Sequence, residues 1–179
     1  LMRAVLWFLP LLITGCATPQ AVMSPLPTTM VSAKVETAPV GTLDDAADDP
    51  AIWRNVANPA ESLIVATDKK SSIHVYDLAG KKLHSAPSPR LNNVDLRDVS
   101  GGVGVLVAAS DRQDLLNAKM AMFRLDTVAK KLVPLGAIAV GPGEAYGMCL
   151  WQRASDKALF GFVVMKDGRI DQVAIDISG

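Results

Sequence analysis

Beyond residue 33, short runs rich in Val, Ile, Leu and Phe alternate with turn-forming residues, and no long stretch carries a 3.6-residue apolar period. That alternation predicts an all-β chain of short strands joined by turns. Three segments align with one another. They are 62–70 followed by 72–78, 105–112 followed by 119–126, and 160–166 followed by 169–176. Each is an apolar strand, a charged tip and a second strand. A further strand precedes each unit, at 51–54, 94–97 and 147–151, and the first two units have one after them, at 82–85 and 131–135. About four strands per unit, with blade-sized spacing, predicts a β-propeller. Lys69, Arg112 and Lys166 hold one repeat position, 43 and 54 residues apart. A cation at a strand end is ordinarily a solvated edge residue that discourages aggregation. Three in register, on blades arranged radially, converge on one rim and define a candidate site.

The N-terminus reads differently. Eleven of the first 15 residues are apolar, Arg3 supplies a positive start, and the run from Ala4 to Ile13 is far shorter than the roughly 20 residues of a spanning helix. Residues 1–15 are therefore expected to be an export leader. Ile13-Thr14-Gly15-Cys16 resembles a lipobox, in which Cys16 is lipid-modified; an ordinary cleaved signal is the alternative. Residues 16–33, rich in Pro, Thr, Ser and Ala, read as a linker, and 34–179 as the propeller part. The expected location is periplasmic or cell-surface with a lipid anchor as the only membrane attachment, or secreted if Cys16 is unmodified. Cys149, within an apolar run, reads as a buried inert thiol.

Charge narrows the function classes. Lys and Arg total 18, as do Asp and Glu, so a generic nucleic-acid binder with an excess of cations is excluded. Anion recognition must be local. Two cysteines exclude a disulfide scaffold, and His74 and His84 have no cysteine nearby to complete a zinc site. Asp44, Asp45, Asp48 and Asp49 fall within six residues ahead of the strand at 51–54. So many carboxylates repel one another, and a hard cation such as Ca²⁺ with its oxygen ligands would relieve that repulsion. A solvated acidic turn is the alternative, and the spacing is not that of an EF-hand. Carboxylates beside a ring of cations suit calcium-assisted phosphate chemistry, in which Arg112 grips phosphate bidentately and Lys69 and Lys166 act as point charges.

The runs Asp44–Trp53, Thr67–Lys70, Leu91–Arg97, Ala108–Arg112 and Glu144–Gly147 resemble, in that order, the β-propeller phytases. Val35–Val40 resembles that family's first strand. The resemblance implies a calcium-dependent phosphomonoester hydrolase acting on myo-inositol hexakisphosphate by attack of a metal-activated water. It implies phosphate binding by Lys69, Arg112, Tyr146 and Lys166, with Lys70 and Asp167 adjacent to matched positions. Calcium ligands carried over are Asp48, Asp49, the carbonyls of Pro50 and Val94, and Glu36. No residue is a nucleophile, Ser110 and Cys149 included. After Arg97 the sequence departs from the family's usual aromatic and longer loop. The family's fold has six blades, so about three units lead to the expectation of an incomplete N-terminal part, inactive alone and monomeric when full length. A non-catalytic periplasmic propeller lipoprotein, binding a polyanion or a protein partner, is the competing reading. A degenerate gene product with an unpaired blade edge is a third.

Overall fold

The computed structural model describes residues 28–99 and 103–176. The leader and Cys16, with most of the linker, lie outside the described residues. Contacts divide the chain into Leu1–Ser32 and Ala33–Gly179, and the second unit carries every described strand. Three antiparallel meanders follow one another, as propeller blades do. The first sheet comprises β1 (Ala47–Trp53), β2 (Leu63–Asp68), β3 (Ser72–Asp77) and β4 (Lys82–Pro87). The second comprises β5 (Leu91–Val99), β6 (Gly104–Asp111), β7 (Asn117–Asp126) and β8 (Lys131–Pro142). The third comprises β9 (Ala145–Gln152), β10 (Leu159–Met165) and β11 (Ile170–Ile175). Strand order within each sheet is sequential, and β5 lies beside both β1 and β9. The third sheet has three strands among the described residues, matching the three read there at 147–151, 160–166 and 169–176.

Alternation along the middle sheet explains why the three stack. On β6, Val105, Val107 and Ala109 pack with Leu63, Val65, Ile73 and Val75 of the first sheet. Leu106 and Ala108 face the other way, into a cluster with Leu150, Leu159 and Val163 of the third. A strand covered on both faces gains nothing from polar alternation, which is why β6 reads as an unbroken apolar run. Met120 extends the second cluster and is fully buried. Room for it comes from Gly161, where a Cβ would lie 2.7 Å from the Met120 sulfur.

Polar groups also cross between sheets. Thr67 Oγ1 donates to the Asn92 carbonyl at 2.6 Å, and the Val94 N–H donates to Asp49 Oδ2 at 3.0 Å. Asp95 Oδ2 accepts the Leu150 N–H at 2.8 Å, while Arg97 donates to the Leu150 carbonyl. The Asp-x-Arg pair thus satisfies both main-chain groups of a buried residue on the next sheet.

Two expectations are corrected. Residues 35–40 form no strand; Pro39 has no N–H to offer a ladder. Instead the Glu36 main chain passes over the β3–β4 turn at Gly80, whose φ is +78° and whose missing Cβ would meet the Glu36 carbonyl oxygen at 2.6 Å. Cys149 is exposed, because Leu150 takes the inward position and alternation turns its neighbour onto the outer face of the third sheet.

Double-sided burial of the middle sheet predicts that Met120→Ala lowers unfolding free energy by about 2–5 kcal/mol in urea titration. Val128→Ala, at a highly exposed position, stays within about 0.5 kcal/mol of the parent.

Candidate functional site: a cationic cleft at the strand turns

One hydrogen bond repeats at the same end of all three sheets. The Lys69 N–H donates to the Ala46 carbonyl at 2.9 Å, the Arg112 N–H to Arg90 at 3.0 Å, and the Lys166 N–H to Glu144 at 3.0 Å. Each cation follows the second strand of its sheet, and each acceptor immediately precedes the first. The turn is thereby clamped to the strand that lies alongside the neighbouring sheet. Consequently Lys69, Lys70, Arg112, Tyr146 and Lys166 line one cleft of about 370 Å³, with Arg90 and Asp45. Five of the six residues named from the phosphate-binding resemblance are gathered there. Asp167 is not a lining residue; it accepts the Arg169 N–H at 3.0 Å and pairs with that guanidinium.

Tyr146 lies between two cations. Lys166 Nζ is 4.0 Å from its ring centroid and the Arg112 guanidinium carbon 5.6 Å, both within cation–π range. Its carbonyl is held by Ser110 Oγ at 2.6 Å and Asn92 Nδ2 at 3.3 Å. Ser110 is fully buried and committed to that bond, and Cys149 lies on an outer sheet face, so neither is placed as a nucleophile.

Carboxylates occupy the cations. Arg112 Nε and Nη2 both donate to Glu144 Oε1, the first at 2.8 Å, and Nη1 reaches Asn92 Oδ1 at 3.3 Å. Lys69 Nζ contacts Asp45 at 2.7 Å and Asp48 at 3.5 Å. The hydrogen bond from Lys69 holds the Asp45 carboxyl below its ordinary range and, reciprocally, the bond to Asp45 raises the Lys69 ammonium. The Arg112 bond does the same to Glu144, against a smaller opposing effect of burial, with Lys166 and Arg90 contributing at longer range. Asp68, at the base of the Lys69 turn, is buried, which pushes its carboxyl up; bonds from Thr42, Ser71 and the Lys70 N–H outweigh this and leave it lowered.

The acidic run does not form one cluster. Strand β1 begins at Ala47, earlier than the sequence pattern indicated, so Asp48 and Asp49 are successive strand residues with different partners. Asp48 approaches Lys69, while Asp49 accepts from Val94 on the second sheet. Glu36 sits by the Gly80 turn, at the other end of the first sheet from Lys69. Among the described residues, no three His, Cys, Asp or Glu side chains converge as metal ligands. Asp48, Asp49 and the Pro50 and Val94 carbonyls are nevertheless all-oxygen donors, the chemistry of a hard cation, though fewer than the six to eight oxygens Ca²⁺ takes. In donor chemistry alone, they suit such an ion.

Arg90 and Glu144 were not singled out as site residues by sequence reasoning, and Asp45 was read only as part of the acidic run. The repeat alignment held the signal, since each stands one or two residues ahead of a first strand; placing the second unit's first strand at 94 rather than 91 hid it.

Fold and cleft together define an all-β, blade-repeat protein with cations gathered on a strand-turn rim. The chain belongs to the phytase family, whose family model, described as Phytase, matches residues 2–179. It is similar to the 3-phytase of Bacillus subtilis (strain 168), with 39% identity over 152 residues. That match covers 81% of the chain and 40% of the relative, so the chain spans about two fifths of the length of this curated relative.

The Glu144–Arg112 pair generates a pH prediction. A carboxyl held below its ordinary 4.5 keeps its ionic contact above that pH and loses it as pH falls through the lowered value. Carboxyl ¹³C NMR titration should place the Glu144 midpoint below 4.5, and Arg112→Ala should return it upward.

Proposed function

We propose that the protein is a calcium-dependent phosphomonoester hydrolase that releases phosphate from myo-inositol hexakisphosphate. The observation that carries this reading is the convergence of Lys69, Arg112, Tyr146 and Lys166, from all three sheets, on one cleft. Membership in the phytase family and similarity to a 3-phytase support the substrate class.

Each side chain has a distinct task. Arg112 offers a planar fork to a phosphate, which takes the place of Glu144 on its Nε–Nη2 edge. Lys69 and Lys166 contribute point charges, Lys166 being oriented by the Tyr146 ring. Lys70 adds to the positive field of the same wall. These groups stabilise charge on the transferring phosphoryl group by position alone. Asp48 and Asp49, with the Pro50 and Val94 carbonyls, would hold Ca²⁺. Held there, Ca²⁺ would supply charge that neutralises phosphate oxygens and lowers the pKa of a coordinated water. Were Asp48 so engaged, Lys69 would keep Asp45 as its nearer carboxylate. Export by the leader, with a lipid on Cys16, belongs to the same proposal.

In the full-length protein, phosphate release from myo-inositol hexakisphosphate should require added Ca²⁺ and cease in excess chelator. Lys69→Ala and Arg112→Ala should each lower kcat/KM by about 10- to 100-fold, the worth of a charge-assisted hydrogen bond. Undiminished turnover in chelator contradicts the calcium requirement, and full activity of both variants contradicts the site. Saturable binding without phosphate release under any metal condition would favour a non-catalytic polyanion receptor.

A further inference from the structure

We propose that Arg90 is an additional substrate-binding residue of the cleft, contacting phosphate from between Lys69 and Arg112; the inference rests on the phosphate reading above. Ala46, Arg90 and Glu144 occupy equivalent places, each preceding the first strand of its sheet and each accepting the N–H of that sheet's turn cation. The three sheets place chemically unlike side chains there: a methyl, a guanidinium and a carboxylate. Glu144 faces Arg112 and neutralises it. Arg90 makes no ion pair among the described residues and acts on Glu144 only at longer range.

Its surroundings are fixed on both sides. The Arg90 N–H donates to the Lys69 carbonyl at 3.0 Å, across the junction of the first and second sheets, and the Arg90 carbonyl accepts from the Arg112 N–H. The side chain folds back so that Nε donates to the Arg112 carbonyl at 2.8 Å. This single tether orients the guanidinium while its two Nη groups hydrogen-bond to nothing among the described residues. Lys69 and Arg112 must each exchange a carboxylate for an incoming phosphate, whereas Arg90 can donate without giving up an ion pair. An oriented guanidinium with free donors on a cleft wall suits an anion's paired oxygens.

Calorimetric titration with myo-inositol hexakisphosphate, alongside melting temperatures, tests this. Wild type is compared with Arg90→Gln, Arg90→Lys and Lys69→Ala. Arg153→Gln, at the opposite end of the β9–β10 hairpin, controls for net charge. Arg90→Gln should weaken binding about 10-fold or more, Arg90→Lys should recover most of that loss, and Arg153→Gln should bind as wild type. If Lys69→Ala weakens binding and Arg90→Gln does not, the inference fails while the phosphate reading stands. If neither weakens it, the phosphate reading fails as well. Equal losses in Arg90→Gln and Arg90→Lys, accompanied by equal falls in melting temperature, would show that Arg90 only braces the turn, which also overturns the inference.

Discussion

Burial of the middle sheet on both faces sets the geometry on which everything else depends. Val107 and Ala109 meet the first sheet while Leu106 and Ala108 meet the third, so neither neighbour can slide without exposing apolar surface. A one-residue slip of β6 would exchange its two faces. With the sheets locked, their strand-turn ends stay level, and the N–H bonds of Lys69, Arg112 and Lys166 fix where each turn stands. Hydrophobic packing thus supplies the distance between sheets, and three main-chain hydrogen bonds supply the position of the charge.

Gathering cations is unfavourable by itself, and the cleft resolves the repulsion locally. Asp45 and Asp48 take Lys69, Glu144 takes Arg112, and the Tyr146 ring takes Lys166 on its face. Zero net charge over the chain therefore coexists with a concentrated positive wall. An incoming phosphate competes with resident carboxylates, which favours highly charged anions over weak ones. Solvent screens the exposed Asp45 most, so its exchange costs little, while the part-buried Arg112–Glu144 pair is screened less.

Strand alternation was the most legible feature of the sequence. It located the two-strand core of each unit and selected Lys69, Arg112 and Lys166 as one repeat position, because strand length and turn chemistry are encoded within a few residues. Two kinds of feature were harder to read. Edges of first strands were placed late: Asp48, Asp49, Asn92 and Asn93 look like polar turn residues, yet they lie in strands because partners on adjacent strands and sheets, such as Thr67 and Val94, satisfy them. Pairings between distant charges, Glu144 with Arg112 or Arg97 with the Leu150 carbonyl, depend on how sheets are juxtaposed and leave no local periodicity. Cys149 shows the same limit, since a run of apolar residues does not say which neighbour faces inward.

The central claim is that the three sheets present one anion-binding cleft at their strand turns. Amide chemical-shift mapping on addition of myo-inositol hexakisphosphate tests it most directly. The account predicts that shifts concentrate at Lys69, Lys70, Arg90, Arg112, Tyr146 and Lys166, drawn from all three sheets and saturating with one dissociation constant. Shifts confined to a single sheet, or concentrated at the opposite turns around Gly80 and Arg153, would contradict it.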